Sequence, residues 1–140
     1  MAVFPSREWL EVYVAKINES ADFEAAARTF AADISFVFEA EPDNGVPRDI
    51  WCKTEFADGK CLSADYGVPE AEGRTAAFII QAPYSRWKDV IGGKIDPIES
   101  MLDGDLAVTG HLPTLLRYVR ATDELVGLAA TAASGFIDEP

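Results

Sequence analysis

The residues able to do chemistry are few. The chain carries one histidine and two cysteines, so nucleophilic or metal chemistry would have to be assembled from His111, Cys52 and Cys61 together with acids. His111 stands between Gly110 and Leu112-Pro113, and no serine or cysteine lies at a triad-like spacing from it, so a capping or surface histidine is expected. Asp96, Glu99, Asp103 and Asp105 could in principle supply a general acid and base. On helices and turns, however, carboxylates ordinarily cap or face water, and that is the reading adopted. The pair Gly92-Gly93 is followed by Lys94 without the Ser or Thr of a phosphate loop, and no strand feeds into it, so no nucleotide is indicated. No catalytic residue, metal or cofactor is assigned.

The elements that would position these groups read as follows. Ser6 can cap a first helix in which Trp9, Leu10, Tyr13, Val14 and Ile17 recur at helical spacing, with Arg7, Glu8, Glu11 and Lys16 on the wet side. An Ala-rich second helix is expected from near Ser20 to Phe30. From Asp33 the period changes to two, with Ile34, Phe36 and Phe38 facing a core and Ser35, Val37 and Glu39 alternating with them. A second strand, Asp49 to Phe56, puts Ile50, Cys52, Thr54 and Phe56 on one side. The run Thr75 to Ala82 is apolar on both faces, as an interior strand is. Short helices Tyr84 to Ile91 and Asp96 to Leu102, each stopped by glycine, precede a strand, Leu106 to Thr109. A last helix from near His111 to Ala130 would turn Leu112, Leu115, Leu116, Val119, Leu125 and Leu128 inward.

The hairpin at Asp58-Gly59 poses a register problem, because a slip of one residue sends every following side chain to the other face. A plain two-residue loop would place Leu62, Ala64 and Tyr66 on the face of Lys53 and Glu55. A three-residue loop with Gly59 in a bulge pairs Thr54 with Leu62, Cys52 with Ala64 and Ile50 with Tyr66, and this register is expected. It sets Cys52 and Cys61 on opposite faces, which forbids a disulfide and a shared metal, so both should be free thiols.

With 24 acidic and 12 basic side chains among 140 residues, the net charge of −12 repels a phosphate backbone, and nucleic acid is not an expected partner. No run of apolar residues is long enough to span a bilayer, and Arg7 and Glu8 interrupt the stretch a signal peptide would need. One domain without stable membrane insertion, in the cytoplasm, is the expectation. Nearly half the residues are apolar (49%), enough for a core and some surplus.

That surplus lies downstream. The stretch Phe78-Ile79-Ile80-Gln81-Ala82-Pro83-Tyr84-Ser85-Arg86-Trp87-Lys88, then Ile95-Asp96-Pro97-Ile98, then Met101-Leu102-Asp103-Gly104-Asp105-Leu106-Ala107-Val108-Thr109-Gly110, resembles the sterol-carrier-protein-type lipid-binding family. The pattern is a strand, an aromatic helix with a Trp, a second helix ending at a glycine, and a short strand leading to a Leu-rich helix. The segment from Phe4-Pro5-Ser6 to Tyr66 resembles members with a helical lead-in, more loosely. His111 departs from the family, where an acid commonly follows the glycine.

The resemblance implies an α+β fold: a mainly antiparallel five-stranded sheet with helices packed on one face and an apolar cavity between the layers. It implies non-catalytic binding or transfer of a fatty acyl chain, sterol or similar lipid, with no cofactor. Face parity plus the resemblance select Phe36, Phe38, Phe78, Ile80, Trp87, Ile91, Ile98, Met101, Leu102, Leu115, Leu116 and Val119 as the ligand-binding wall. Two alternatives stand beside this: a small enzyme on an apolar substrate with Asp96 or Asp105 as base, and a homodimerising module whose apolar patch is a seam.

Overall fold

The computed structural model describes residues 2–139, and all statements below concern these. A short strand β1 (Val3–Phe4) leads into α1 (Arg7–Glu19) and α2 (Ala21–Ala26). Ser6 caps α1 by accepting the Trp9 N–H, and Ser20 caps α2 by accepting that of Phe23, so each serine satisfies a donor the first helical turn leaves free. The second helix is shorter than expected. Ala27 and Phe30 are nonetheless buried, because the turns after Ala26 fold back on the same face.

Strands β2 (Ala32–Glu39), β3 (Ile50–Ala57) and β4 (Lys60–Tyr66) follow, then a single-turn helix α3 (Glu70–Gly73) and β5 (Phe78–Pro83). Helices α4 (Tyr84–Ile91) and α5 (Pro97–Asp103) come next, then β6 (Ala107–Thr109), α6 (Leu112–Leu116), α7 (Val119–Ala132) and β7 (Gly135–Phe136). The five-stranded sheet has the order β4-β3-β2-β5-β6. It is mixed rather than uniformly antiparallel: β2 and β5 run parallel at its middle, and the other neighbours are antiparallel. Two reversals through β3 and β4, followed by a crossing through α3, return the chain in the direction of β2. A separate pair, β1 with β7, was not foreseen and runs parallel.

Most helices cover the face carrying Ile34, Phe38, Cys52, Phe56, Phe78 and Ile80, where the main core lies. The other face is not simply wet. Val37, Trp51 and Ile79 form a small second core there, capped by the segment around α3. Ser35 donates to the Gly73 carbonyl, and Gly73 packs so closely on Trp51 that an added Cβ would lie 2.4 Å from the ring. Strand β2 is therefore buried on both faces at Ile34, Ser35, Val37 and Phe38.

The expected hairpin register is corrected. Asp58 (φ 54°) and Gly59 (φ 73°) form a two-residue turn, pairing Ala57 with Lys60 and Phe56 with Cys61. A bulge then skips Leu62, so Glu55 meets Ser63, Thr54 meets Ala64 and Cys52 meets Tyr66. The bulge restores the apolar parity that a longer loop would have supplied, and Leu62 is the residue left over, 58% exposed. Cys52 and Cys61 consequently share the inner face instead of opposing one another. They remain free thiols because their pairing partners, Tyr66 and Phe56, place them well apart along the hairpin.

The single last helix is also corrected. It breaks at Arg117-Tyr118, where two successive N–H groups bond three residues back, to Thr114 and Leu115. The Tyr118 ring packs edge-on against Phe30 at 5.0 Å and its hydroxyl meets the Thr29 hydroxyl. Breaking the helix resets its phase, so Leu115 and Ala121 are both buried while Val119 between them is 41% exposed.

Candidate functional site

Between the sheet and the helical layer lies a cavity of about 90 Å³. Its floor is Ile34, Phe36 and Phe38 of β2, Cys52 of β3 and Ile80 of β5. These positions share a face because β2 pairs Phe36 with Cys52 on one side and Ile80 on the other. The helical side comes from Trp9, Leu10 and Tyr13 of α1, Trp87, Val90 and Ile91 of α4, and Pro97 and Met101 of α5. Leu106, Leu115 and one face of α7 (Thr122, Leu125, Val126, Ala129) complete it, with Phe4 at one end.

A second, smaller space of about 30 Å³ lies under α2, α6 and α7. It shares Ile34, Leu115, Thr122 and Leu125 with the first. Those four side chains border both spaces. Among the described residues, no Lys, Arg, His, Asp or Glu lines either chamber.

Aromatic packing shapes the larger chamber. Trp87 stands edge-on to Phe38 at 5.4 Å and to Phe36 at 6.0 Å, while Phe4 meets Trp9 at 4.7 Å and Phe38 at 5.0 Å. Every indole or phenol in that wall has a hydrogen-bond partner. Trp87 donates to the Val37 carbonyl, Trp9 to Ala129 and Tyr13 to Leu125, all between 2.9 and 3.1 Å. The carbonyl of Ala129 belongs to the last turn of α7, where the helix itself supplies no donor, so the indole of Trp9 fills a gap the backbone leaves. Burial raises the Tyr13 phenol and pushes the Cys52 thiol up to about 12, keeping both uncharged.

Of the twelve residues selected from the sequence, Phe36, Phe38, Ile80, Trp87, Ile91, Met101 and Leu115 lie in this wall. Phe78 is buried elsewhere in the core against Phe30, and Ile98 packs on the core without reaching the cavity. Leu102 is 61% exposed, and Leu116 and Val119 point away from the chamber. Helix geometry explains these last three. Successive residues are rotated by about 100°, and the rotations of α5 and α6 that turn Met101 and Leu115 inward leave Leu102 and Leu116 outside the chamber, while the break before α7 resets the phase at Val119. The selection missed Phe4, Trp9, Leu10, Tyr13, Ile34, Cys52 and the α7 face. For α1 the signal was present, since Trp9, Leu10 and Tyr13 already formed its apolar stripe.

Apart from Cys52, which is part of the floor, the groups considered for chemistry do not line the cavity. Asp96 caps α5 by accepting the Glu99 N–H, Asp105 faces Arg86 at 3.9 Å, and His111 contacts the Thr114 hydroxyl on the surface. Among the described residues, no cluster of His, Cys, Asp and Glu is arranged to hold a metal, and no helix is long and apolar enough to cross a membrane.

No family model and no curated protein matches the sequence. Solved structures do match. A crystal structure of sterol carrier protein 2 superposes with a TM-score of 0.81 at 28% identity, over 89% of this chain and 95% of its own. A Thermus thermophilus protein described as possibly a sterol carrier protein gives 0.80 at 28% identity, over 93% and 90%. Sterol carrier protein 2 of Yarrowia lipolytica in its apo form shares the fold at 0.56 and 14% identity, over 93% and 98%. Agreement over nearly the whole of both chains, with the layered sheet and cavity described above, identifies the chain as a sterol carrier protein-like domain.

Proposed function

We propose that this protein binds and carries an apolar ligand in the space between its sheet and helices. The observation that carries the reading is a cavity whose wall is aromatic and aliphatic with no charged side chain. An apolar void of this kind stays dry, so filling it with hydrocarbon gains contacts and displaces no bound water. The similarity to sterol carrier protein 2 supports the same reading.

Size constrains how the ligand enters. The larger chamber, about 90 Å³, is smaller than the roughly 150 Å³ engineered cavity that admits benzene, so a long chain needs the wall to move. Helix α7 contributes Thr122, Leu125, Val126 and Ala129 to that wall, and moving it outward would break the bonds that the Trp9 indole and the Tyr13 hydroxyl make to its Ala129 and Leu125 carbonyls. The energy is sufficient, because a twelve-carbon tail gains roughly 9 kcal/mol at 0.8 per methylene. Association and ordering take back about 4 kcal/mol or more, leaving about 5 kcal/mol, a sub-millimolar affinity. The two buried, unbridged thiols fit carriage in a reducing cytoplasm.

Native mass spectrometry of freshly purified protein tests this directly, with a discrete added mass of lipid expected. The intrinsic fluorescence of Trp9 and Trp87, both in the wall, should also shift on titration with medium-chain lipids. Protein that emerges without added mass and shows no emission change would refute carriage.

A further inference from the structure

Strand β4 is one edge of the five-stranded sheet, and only part of that edge is closed. The Asn18 side chain covers one end, accepting the Cys61 N–H at 2.8 Å and donating to the Cys61 carbonyl at 3.0 Å, as a neighbouring strand would. At the other end Arg7 donates to the Tyr66 carbonyl at 3.3 Å while its guanidinium lies over the Tyr66 ring. In an antiparallel ladder, residues that bond the partner strand alternate with residues that point away from it. Tyr66 points away from β3, as its bond to Arg7 requires, and so therefore does Ala64, two residues earlier. Among the described residues, no group outside the ladder bonds the Ala64 N–H or carbonyl.

That bare stretch opens on a groove. A space of about 310 Å³ lies between β4 and α1, lined by Arg7, Leu10, Glu11 and Val14 of the helix and by Ala64, Asp65 and Tyr66 of the strand. Ala64 stands opposite Thr54 and so belongs to the inner face, on the same side as α1, where its methyl group fills little of the gap. The outer face of the same strand is acidic. Ser63 and Asp65 lie there opposite Glu55 and Lys53, and together with Asp33 and Glu72 they border an open depression of about 190 Å³. Four carboxylates thus meet one ammonium, and Lys53 donates to Thr75 Oγ1 at 2.9 Å rather than pairing with Asp65.

We propose that β4 takes up an extended segment of a partner protein as a sixth, antiparallel strand, in which apolar residues alternate with basic ones. Only antiparallel pairing lets one residue exchange both hydrogen bonds with Ala64. The side chain of that residue falls on the inner face beside Leu10 and Val14, which favours an apolar one. Its two neighbours fall on the outer face beside Asp65 and Ser63, where lysine or arginine meets the uncompensated carboxylates. A second copy of this chain fits worse, since it would bring its own net charge of −12 against the same acidic strip. The window is short, bounded by Asn18 and Arg7, so the contact is a transient one that buries little area. Nothing in this surface depends on what the apolar cavity holds, although Leu10 lines both.

The test titrates isotope-labelled protein with acetyl-Lys-Val-Lys-Val-Lys-amide, followed by amide chemical shifts and hydrogen exchange, beside the same peptide N-methylated at both valines. The methylated peptide keeps every charge but has no N–H to give the Ala64 carbonyl. Shifts should be confined to Ser63 through Tyr66 and the side of α1 that faces them, with exchange of the Ala64 amide slowed about threefold or more near saturation. The methylated peptide should bind about fivefold more weakly. Asp65→Lys, at an exposed position, should weaken the unmethylated peptide about fivefold, and Asp65→Asn should do so by a smaller factor. Equal binding of the two peptides, or shifts that spare β4, overturns strand addition. Unchanged affinity in both Asp65 variants overturns the basic partner, and a dimer in sedimentation of the protein alone, with its Ala64 amide already protected, overturns it in favour of a second copy.

Discussion

Leu115 is the side chain through which stability and ligand uptake should be most visibly opposed. It is 6% exposed and borders both chambers. Leu115→Ala removes three carbons from a buried site, forfeiting roughly 2.4 kcal/mol of transfer energy at about 0.8 per methylene. Leucine-to-alanine changes in well-packed cores cost about 2.7–5.0 kcal/mol once the void is included. Part of the Leu115 surface already faces empty space, so fewer contacts are lost and a cost near 3 kcal/mol is expected. The same truncation should join spaces of about 90 and 30 Å³ into one. A ligand can occupy the added room, so its stabilising effect should be larger in the variant. At a hundredfold excess over Kd a ligand stabilises its host by about 2.7 kcal/mol, and the variant should exceed the unmodified protein by about 1 kcal/mol. Urea unfolding of both proteins, with and without dodecan-1-ol and followed by circular dichroism, measures all four free energies. Equal ligand increments would refute the idea that Leu115 divides a binding space, and an apo cost below about 1 kcal/mol would refute its packing.

Three further outcomes follow from the same structure. Tyr84 is fully buried and its hydroxyl donates to Asp138, which Lys88 also approaches at 3.0 Å, so Tyr84→Phe should cost about 1 kcal/mol at neutral pH. The Tyr84 hydroxyl, seconded by Lys88, holds the Asp138 carboxyl below its ordinary value. That contribution is therefore complete above the unfolded value near pH 4 and is lost as pH falls through the lower folded one. The gap between Tyr84→Phe and the unmodified protein should accordingly shrink in melts at acid pH, and a constant gap would count against the ionised Asp138 as the acceptor. Burial pushes Cys52 up to about 12 and Cys61 up to about 11, so neither thiol should react with a thiol reagent at pH 8 until denaturant is added. Rapid labelling of the native protein would contradict their placement. Gly59→Ala should destabilise by more than about 1 kcal/mol, because φ is 73° and the new Cβ would sit 2.6 Å from the Glu24 carbonyl. A thermal melt within about a degree of the unmodified protein would show that the turn is not held there.

Much of the fold was legible because its signals are local. The Ser6 and Ser20 caps, the period-two run through Phe36 and Phe38, the glycines closing α4 and α5, and the apolar β5 all act within a few residues of themselves. Part of the cavity floor, Phe36, Phe38 and Ile80, came from strand parity together with the family resemblance, while Ile34 and Cys52 were missed. Where reading failed, a distant contact had decided. The break at Tyr118 depends on Phe30 and Thr29, and the tight turn at Gly59 is pressed by α2. The Leu62 bulge reconciles that turn with the core, which no count of hairpin residues could supply.

The cavity wall divides along the same line. Amino-acid order by itself determined that this chain has an apolar surplus, which strand faces it occupies, and that its only histidine and most of its acids stay at the surface. Only tertiary structure decided which helical residues face the gap, because a helix turns each successive side chain by about 100° and its rotation is set by whatever it packs against. Leu115 therefore lines the space and Leu116 does not. Trp9 and Tyr13 enter the wall because their polar ends reach carbonyls of α7 more than a hundred residues away in sequence.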